Sequence, residues 1–284
     1  MSAIAENPRI ALRAPARARG VSLVLTLAKR RASLTTKTPR QIAVPLLGPV
    51  LLALVVAPAL KVATGGLHSH IDYTSFVGVG AVGLVIPLSC VFAGLSVLVD
   101  RHSGAQREML AAPVPRAYLV LGNLIVALGL ATLQVVVLIG LSALRGGEFH
   151  ITGAGLIWFV AAALLFTVFM YGVAETVASR VSKQEDYIGA TPAVAILPFF
   201  LAGALYPIAA MPGVLTAIAK VFPLTHALAL MRYGFIDPGG KGLHDIWGMH
   251  SVSAEAWLSM AVLALWAIAL TVVSIRAFAR SAVS

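Results

Sequence analysis

Long apolar segments separated by short charged ones are the main pattern of this 284-residue chain. Six segments contain no Asp, Glu, Lys or Arg: 42–60, 73–99, 117–144, 151–174, 187–219 and 256–275. A helix needs about 20 mainly apolar residues to cross the roughly 30 Å hydrocarbon core of a bilayer, and each segment reaches or approaches that length. The pattern therefore predicts six membrane-spanning segments.

These segments are predicted to be helices. Lipid offers no hydrogen-bond partners to the backbone, so only helices and closed barrels cross a membrane, and long continuous apolar runs lack the alternation of a barrel strand. The composition agrees, because 59% of residues are hydrophobic and 11% are charged, against about 25% charged in soluble proteins. We predict one all-α domain at 21–284, preceded by a mobile basic tail at 1–20.

The basic residues are distributed unevenly between the predicted spans. Sixteen of the 21 Lys and Arg lie in segments 1–41, 100–116, 179–186 and 276–284. Lys and Arg are concentrated on the cytoplasmic side of membrane proteins, which predicts that both termini lie in the cytoplasm. The net charge of +10 is then explained by the anionic inner leaflet, and nucleic acid is not an expected partner.

A weaker pattern precedes the first span, at 21–38. Apolar or small residues recur there at intervals of three and four, at Val21, Val24, Leu25, Ala28, Ala32 and Thr35. Several basic residues fall between them. This spacing predicts an amphipathic helix that lies on the inner membrane surface.

Glycine and proline interrupt the fifth apolar segment. The interruptions are Gly203, Pro207, Pro212, Gly213 and Pro223. We therefore expect residues 187–205 to span the membrane and residues 214–222 to form a short re-entrant or interfacial helix on the outer side. A plain surface hairpin is the alternative.

Motifs of catalysis, nucleotide binding and metal binding give no site in this chain. It has no phosphate-binding Gly-Lys-Ser/Thr loop, no nucleophile elbow and no zinc-binding His-Glu-x-x-His helix. The glycines 78, 80 and 83 match a dinucleotide fingerprint, but they lie in an apolar span and indicate close helix packing. His68 and His70 lack a third metal ligand. The single cysteine, Cys90, allows no disulfide within the chain.

Glu175 is the acidic residue that directly follows the fourth apolar segment. Because Arg180 and Lys183 follow it, we expect an ion pair at the cytoplasmic end of this span. A proton-coupling carboxylate remains the alternative, since ionisable groups near membrane spans are frequently functional.

Two segments resemble the type-2 ABC permease family, which includes drug and antibiotic exporters of the daunorubicin-resistance kind. The first is the 100–116 segment, DRHSGAQREMLAAPVPR, with an acidic-Arg start, a Glu, an apolar pair and a P-V-x-R ending. The second is 197–232, in which a G-x-x-x-P break is followed by F-P-L-T-x-A and Arg232.

The resemblance implies that the 100–116 segment is a coupling element docked into an ATPase subunit. Met109 and Leu110 would fill a groove of that subunit. Its other implied contributors are Arg101, Arg107, Glu108, Pro113 and Arg116. The prolines at 113 and 115 should end a short helix at about 104–111. An ordinary loop whose arginines reach the membrane surface is the alternative.

The second segment would form an outer gate. Its implied residues are Gly203, Pro207, Pro212, Pro223, Leu224 and Thr225. Four aromatic residues are candidates for the transport pathway, namely Phe76, Phe199, Phe200 and Tyr206. Core packing is the alternative for each of these four.

The resemblance implies that this chain is the transmembrane subunit of an ABC exporter in a bacterial cytoplasmic (inner) membrane. It would work as a homodimer or heterodimer and move an amphipathic drug, antibiotic or lipid. The chain itself would be no enzyme and hold no cofactor, since ATP and Mg²⁺ would bind a separate ATPase subunit. The alternative is a non-transport membrane subunit that regulates or assembles with an ATPase.

Overall fold

The computed structural model of the protein describes residues 20–63, 72–111 and 115–281. All regular secondary structure in these ranges is helical, which confirms the all-α prediction. Residues 1–19 of the predicted tail at 1–20 lie outside the described residues, as do His68, His70 and Pro113, whereas Gly20 is the first residue of a helix. The helices are α1 Gly20–Thr36, α2 Arg40–Leu51, α3 Ala57–Ala63, α4 Tyr73–His102, α5 Ala105–Ala111, α6 Arg116–Leu144, α7 Gly153–Arg180, α8 Gln184–Gly189, α9 Leu197–Leu201, α10 Gly213–Val221, α11 Pro223–Phe235, α12 Lys241–Trp247 and α13 Val252–Ser281.

Five of the six predicted spans are confirmed as long apolar helices. They are α4, α6, α7, α13 and the continuous helix Arg40–Val62, in which the π-helical stretch Leu52–Val56 joins α2 to α3. Each is long and apolar enough to cross a bilayer. The chain is therefore a multi-pass membrane protein.

The fifth predicted span differs from the expectation of one continuous helix. Residues 187–205 are divided among α8, a π-helical stretch Pro192–Ile196 and α9, followed by irregular backbone. Pro192 and Pro198 lack a backbone N–H, so neither can donate the bond that continues a regular α-helix. The sixth candidate crossing is instead the pair α10 and α11, which are bent by 81° relative to each other.

Helix α10, Gly213–Val221, lies where the sequence predicts a short helix at 214–222. Pro212 precedes it and Pro223 begins α11, so prolines mark both of its ends. The re-entrant depth of this helix in a bilayer remains a prediction.

Helix α11 lies at the centre of the bundle. All of its residues except Tyr233 are buried, and it packs against α4, α7 and α13. By contrast, α13 and the Arg40–Val62 span expose many large apolar side chains, including Leu47, Leu51, Leu265 and Ile268. Such side chains suit a hydrocarbon surrounding, as expected for the outer helices of a membrane bundle.

The amphipathic helix predicted at 21–38 is present as α1. It runs along α6 in the same direction, because an added Cβ at Gly20 would touch Tyr118 and one at Gly122 would touch Leu27. Part of the predicted apolar stripe faces the bundle, whereas Val21 and Leu25 are exposed. Those exposed residues are available to lipid, and the position of α1 on the inner membrane surface remains a prediction.

Asp72 is the N-cap residue of α4 and also bonds to Lys61 of α3. Its carboxylate accepts hydrogen bonds from the Ser75 amide at 3.0 Å and from Lys61 Nζ at 2.6 Å. Burial opposes ionisation, but the hydrogen bonds outweigh it and hold the pKa of Asp72 below its ordinary value. The carboxylate therefore caps the helix and joins two neighbouring spans.

The crossing of α7 and α11 depends on two glycines in direct backbone contact. A Cβ at Gly155 would lie 2.1 Å from the Gly234 carbonyl oxygen, and a Cβ at Gly234 would lie 2.4 Å from that of Gly155. Small residues allow this approach, which is a common way for membrane helices to pack.

We predict that Gly155→Ala destabilises the protein by about 1–3 kcal/mol, because the added methyl group must push α7 and α11 apart. The matched control is Gly153→Ala in the same helix, where an added Cβ meets nothing within 4 Å. Thermal unfolding of the detergent-purified variants is the measurement. Equal midpoints for the two variants would contradict the crossing described here.

Candidate functional site

The 100–116 segment contains α5, a short helix between two long spans. It begins after Gly104, whose φ of +81° is the left-handed conformation that glycine adopts without strain. Gln106 is buried and Met109 is half-buried against the core, whereas Glu108 is exposed. The helix therefore has one side held by the bundle and one acidic group free for solvent or a partner.

The end of α4 is bonded to the connection between α7 and α8. The Arg101 guanidinium donates to the carbonyl oxygens of Ala178, at 3.4 Å, and of Val181. His102 Nε2 lies 2.8 Å from the Ser182 carbonyl oxygen. These contacts join the 100–116 segment to the C-terminal end of α7.

A partly buried ion pair joins α1 to α4 at the same end of the bundle. Arg31 Nη1 lies 2.9 Å from Asp100 Oδ2, and Arg31 Nη2 donates to Ser96 Oγ at 2.6 Å. The neighbouring Arg30 donates to Met109 Sδ at 3.2 Å. Helix α1 is thus fixed to both α4 and α5.

Sequence reasoning missed the role of Arg31. The signal was available, because Arg31 lies three residues after Ala28 and four before Thr35, on the apolar stripe itself. A cation on the buried side of an amphipathic helix needs a partner, and Asp100 is that partner.

The remaining residues of the 100–116 segment are described in part. Arg116 begins α6 and donates to the Ala279 carbonyl oxygen of α13 at 2.5 Å. Arg107 and Leu110 belong to α5. Met109 packs against the protein's own core. This contact favours a role in anchoring α5 to the bundle over the predicted role of filling a groove of the partner.

A second group of contacts lies at the N-terminal end of α4. There the backbone after α9 is not helical at residues 202–207, a stretch that we call the 202–207 break. Three consecutive carbonyl oxygens of this break accept hydrogen bonds from side chains. Arg232 of α11 donates to Gly203 at 2.9 Å and to Ala204 at 2.8 Å, and Tyr73 of α4 donates to Leu205 at 2.6 Å. Buried backbone groups require such partners, so the irregular path is stabilised from two neighbouring helices.

Arg232 is itself held by α4. Its guanidinium carbon lies 3.5 Å from the centroid of the Phe76 ring, and Nη2 donates to the Phe76 carbonyl oxygen at 3.3 Å. A cation over an aromatic face is stabilised most when it is desolvated, as this buried arginine is. We call Arg232, Phe76 and the carbonyls of Gly203 and Ala204 the arginine clasp.

The glycines of α4 that match a dinucleotide fingerprint are packing positions, as predicted. A Cβ at Gly80 would lie 2.1 Å from the Ala204 carbonyl oxygen, and one at Gly83 would touch Leu224 and Leu228 of α11. Gly78 faces Ser142 of α6 in the same way. The three glycines let α4 approach α6, α11 and the 202–207 break.

The candidate gate and pathway residues fall into two groups. Phe199 and Leu224 are fully buried, and Thr225 is buried with an unpartnered hydroxyl oxygen. Phe200 and Tyr206 are 48% and 40% exposed. In this conformation Phe199 packs in the core, and the exposed aromatic side chains near the break are Phe200 and Tyr206.

The ion pair predicted for Glu175 with Arg180 or Lys183 is not formed among the described residues. Glu175 is fully buried and accepts a hydrogen bond from Tyr171 at 2.9 Å, while its second oxygen has no partner. Arg180 lies five residues later, on a different face of α7. The proton-coupling alternative remains a hypothesis. Among the described residues, no three His, Cys, Asp or Glu side chains form a metal site.

Comparison with known proteins gives one family. A model described as ABC-2 type transporter matches residues 22–236, which is more than half of the chain and includes both α5 and the arginine clasp. A comparison with curated proteins gives no match.

We predict that Arg232→Met loosens the 202–207 break, because it leaves the Gly203 and Ala204 carbonyls unpaired at about 1–3 kcal/mol each. Arg145→Met, which removes an exposed cation at the end of α6, is the control. The measurement is the labelling rate of a cysteine placed at Ala204, in chains that otherwise keep only the buried Cys90. Equal labelling rates in the two backgrounds would contradict the role of the clasp.

Proposed function

Because the chain belongs to the ABC-2 type transporter family, we propose that it is the membrane-spanning half of an ATP-driven exporter. The family makes it a transmembrane subunit of an ABC transporter, a permease-type component without a nucleotide-binding domain. The finer proposal is that a separate ATPase subunit binds the 100–116 segment, and that a second permease chain, identical or related, completes the transport path.

The observation that supports coupling most directly is the set of bonds around α5. One side of the segment is fixed to α1 through Arg31 and Met109, and to the end of α7 through Arg101. Glu108 remains exposed on the other side. A partner that binds the exposed side and moves would displace α1, α4 and α7 together, which is what an energy-coupling element requires.

The charges inside the bundle support an amphipathic cargo. Glu175 and Arg232 are both buried, and the Arg232 guanidinium bonds to backbone carbonyls, so neither side chain is exposed to a passing molecule. Two exposed side chains near the 202–207 break, Phe200 and Tyr206, are aromatic. We propose that the cargo is a drug, antibiotic or lipid that enters from the membrane.

The arginine clasp supports the assignment of the 202–207 break as the gate. The break and α10 are held to the bundle mainly through α11 and α4. We propose that ATP binding in the partner rocks the two permease chains and moves this region, which opens the path on the outer face of the inner membrane. In the orientation that the distribution of Lys and Arg predicts, both termini would lie in the cytoplasm.

We predict that Glu108→Lys combined with Leu110→Asp leaves the chain inserted in the membrane but removes its binding to the ATPase subunit. Charge reversal and a new carboxylate would both oppose docking of α5. Co-purification of a candidate ABC ATPase subunit with the chain is the measurement. The control is Glu148→Lys, a charge reversal of an exposed residue beyond the opposite end of α6.

Unchanged co-purification of the double variant would contradict the docking role of the 100–116 segment. Reconstitution then separates the two functions. Stimulation of ATP hydrolysis by amphipathic drugs or lipids supports export, whereas a tight complex that no cargo stimulates supports the alternative, a regulatory subunit.

A further inference from the structure

A lateral cleft of about 250 Å³ lies between α6 and α7. Its back wall is formed by buried residues, among them Ile86 of α4, Val135 of α6 and Phe159 of α7. Its rim is formed by exposed apolar side chains, including Val136 and Leu164. The cleft is therefore continuous with the membrane-facing surface of two spans.

The walls of the cleft offer no polar group to a ligand. Two of the lining residues carry hydroxyl groups, and both hydroxyls are already used within their own helices. Thr132 donates to the Leu128 carbonyl oxygen and Thr167 to that of Ala163, each at 2.8 Å. The remaining lining side chains are hydrocarbon. Only an apolar group can occupy this space without losing hydrogen bonds.

The volume of the cleft indicates whether its ligand is a whole molecule or only a segment of a hydrocarbon chain. Sites for drug-sized ligands measure about 300–1,000 Å³, whereas an apolar cavity of about 150 Å³ holds a benzene ring. A volume of about 250 Å³ is therefore too small for most complete amphiphiles. It accommodates a segment of one hydrocarbon chain.

The depth of the cleft matches one leaflet. Its α7 wall extends from Leu156 to Thr167, which is roughly 16 Å along the helix, about half of the hydrocarbon core. At the beginning of that wall, Trp158 packs edge-on against Trp257 with ring centroids 5.0 Å apart. Tryptophan is enriched at membrane–water interfaces, so this pair places the mouth of the cleft near one.

We propose that the cleft binds one acyl chain of a bilayer phospholipid, from the leaflet at the N-terminal end of α7. The bound chain would contact Phe235 of α11, whose ring stacks on Phe159 with centroids 3.9 Å apart. Phe235 lies three residues after Arg232, so the lipid supports the helix that carries the arginine clasp. This proposal rests on the spans and the cleft and is independent of export.

The test is photolabelling in liposomes with a phospholipid that carries a diazirine within one acyl chain, followed by mass mapping of the adducts. We expect adducts at Val135 and Phe159, which are buried but line the cleft. Leu138 and Phe166 are the internal controls, because they lie on the same helices and are also buried but do not line it. Several-fold more adducts at the first pair than at the second is the expected result.

Two variants that fill the cleft, Ala163→Phe at its wall and Val160→Phe at its rim, should each reduce the adducts at Val135 and Phe159 several-fold. Leu265→Phe on the exposed face of α13 should leave them unchanged. Equal labelling of the two residue pairs in the unaltered protein would overturn the proposal. Labelling of the cleft by a single-chain amphiphile but not by the phospholipid would overturn its assignment to a bilayer lipid.

Discussion

The pairing of three consecutive carbonyl groups, at Gly203, Ala204 and Leu205, underlies the architecture of this bundle. A chain that leaves the helical path inside a protein finds little water to bond, so these carbonyl groups need donors from the neighbouring helices. Arg232 and Tyr73 supply them. This requirement explains why α11 is buried on nearly every side, and why α4 carries a glycine where the break approaches it. It also explains why an arginine is tolerated within the bundle.

Helix α4 joins this clasp to the opposite end of the molecule. One end of the 30-residue helix carries Tyr73 and Phe76, and the other carries Asp100 and Arg101. The partly buried Arg31–Asp100 pair, together with the bond from Arg31 to Ser96, joins α1 to that second end. The proposed coupling segment and the proposed gate therefore contact the two ends of one helix, which gives them a direct structural connection.

The long spans and the short helices α5 and α10 were predictable, because charge-free runs and flanking prolines are local signals. The division of the fifth span was predictable only in part. Its glycines and later prolines predicted the interruption after residue 202, but the effect of Pro192 and Pro198 on the helix before it was not predicted. The partners of Arg31 and Arg232 could not be found from sequence spacing alone, because each depends on how helices distant in the chain pack together. Tyr171, the partner of Glu175, lies four residues earlier on the same helix, so the i,i+4 spacing offered a signal that the predicted pairing with Arg180 or Lys183 overlooked. Arg31 is the partial exception, since its position on the apolar stripe marked it as buried.

We propose that binding of the ATPase at the 100–116 segment changes the conformation of the 202–207 break. This proposal is tested most directly by placing a cysteine at the exposed Tyr206 in the reconstituted complex with its ATPase and measuring the labelling rate with and without trapped ATP. The account predicts that ATP changes this rate, and that Arg31→Ala, which releases α1 from α4 without altering exposed Glu108, weakens the change while the ATPase stays bound. A labelling rate that ATP does not alter, in a complex that still hydrolyses it, would contradict the account.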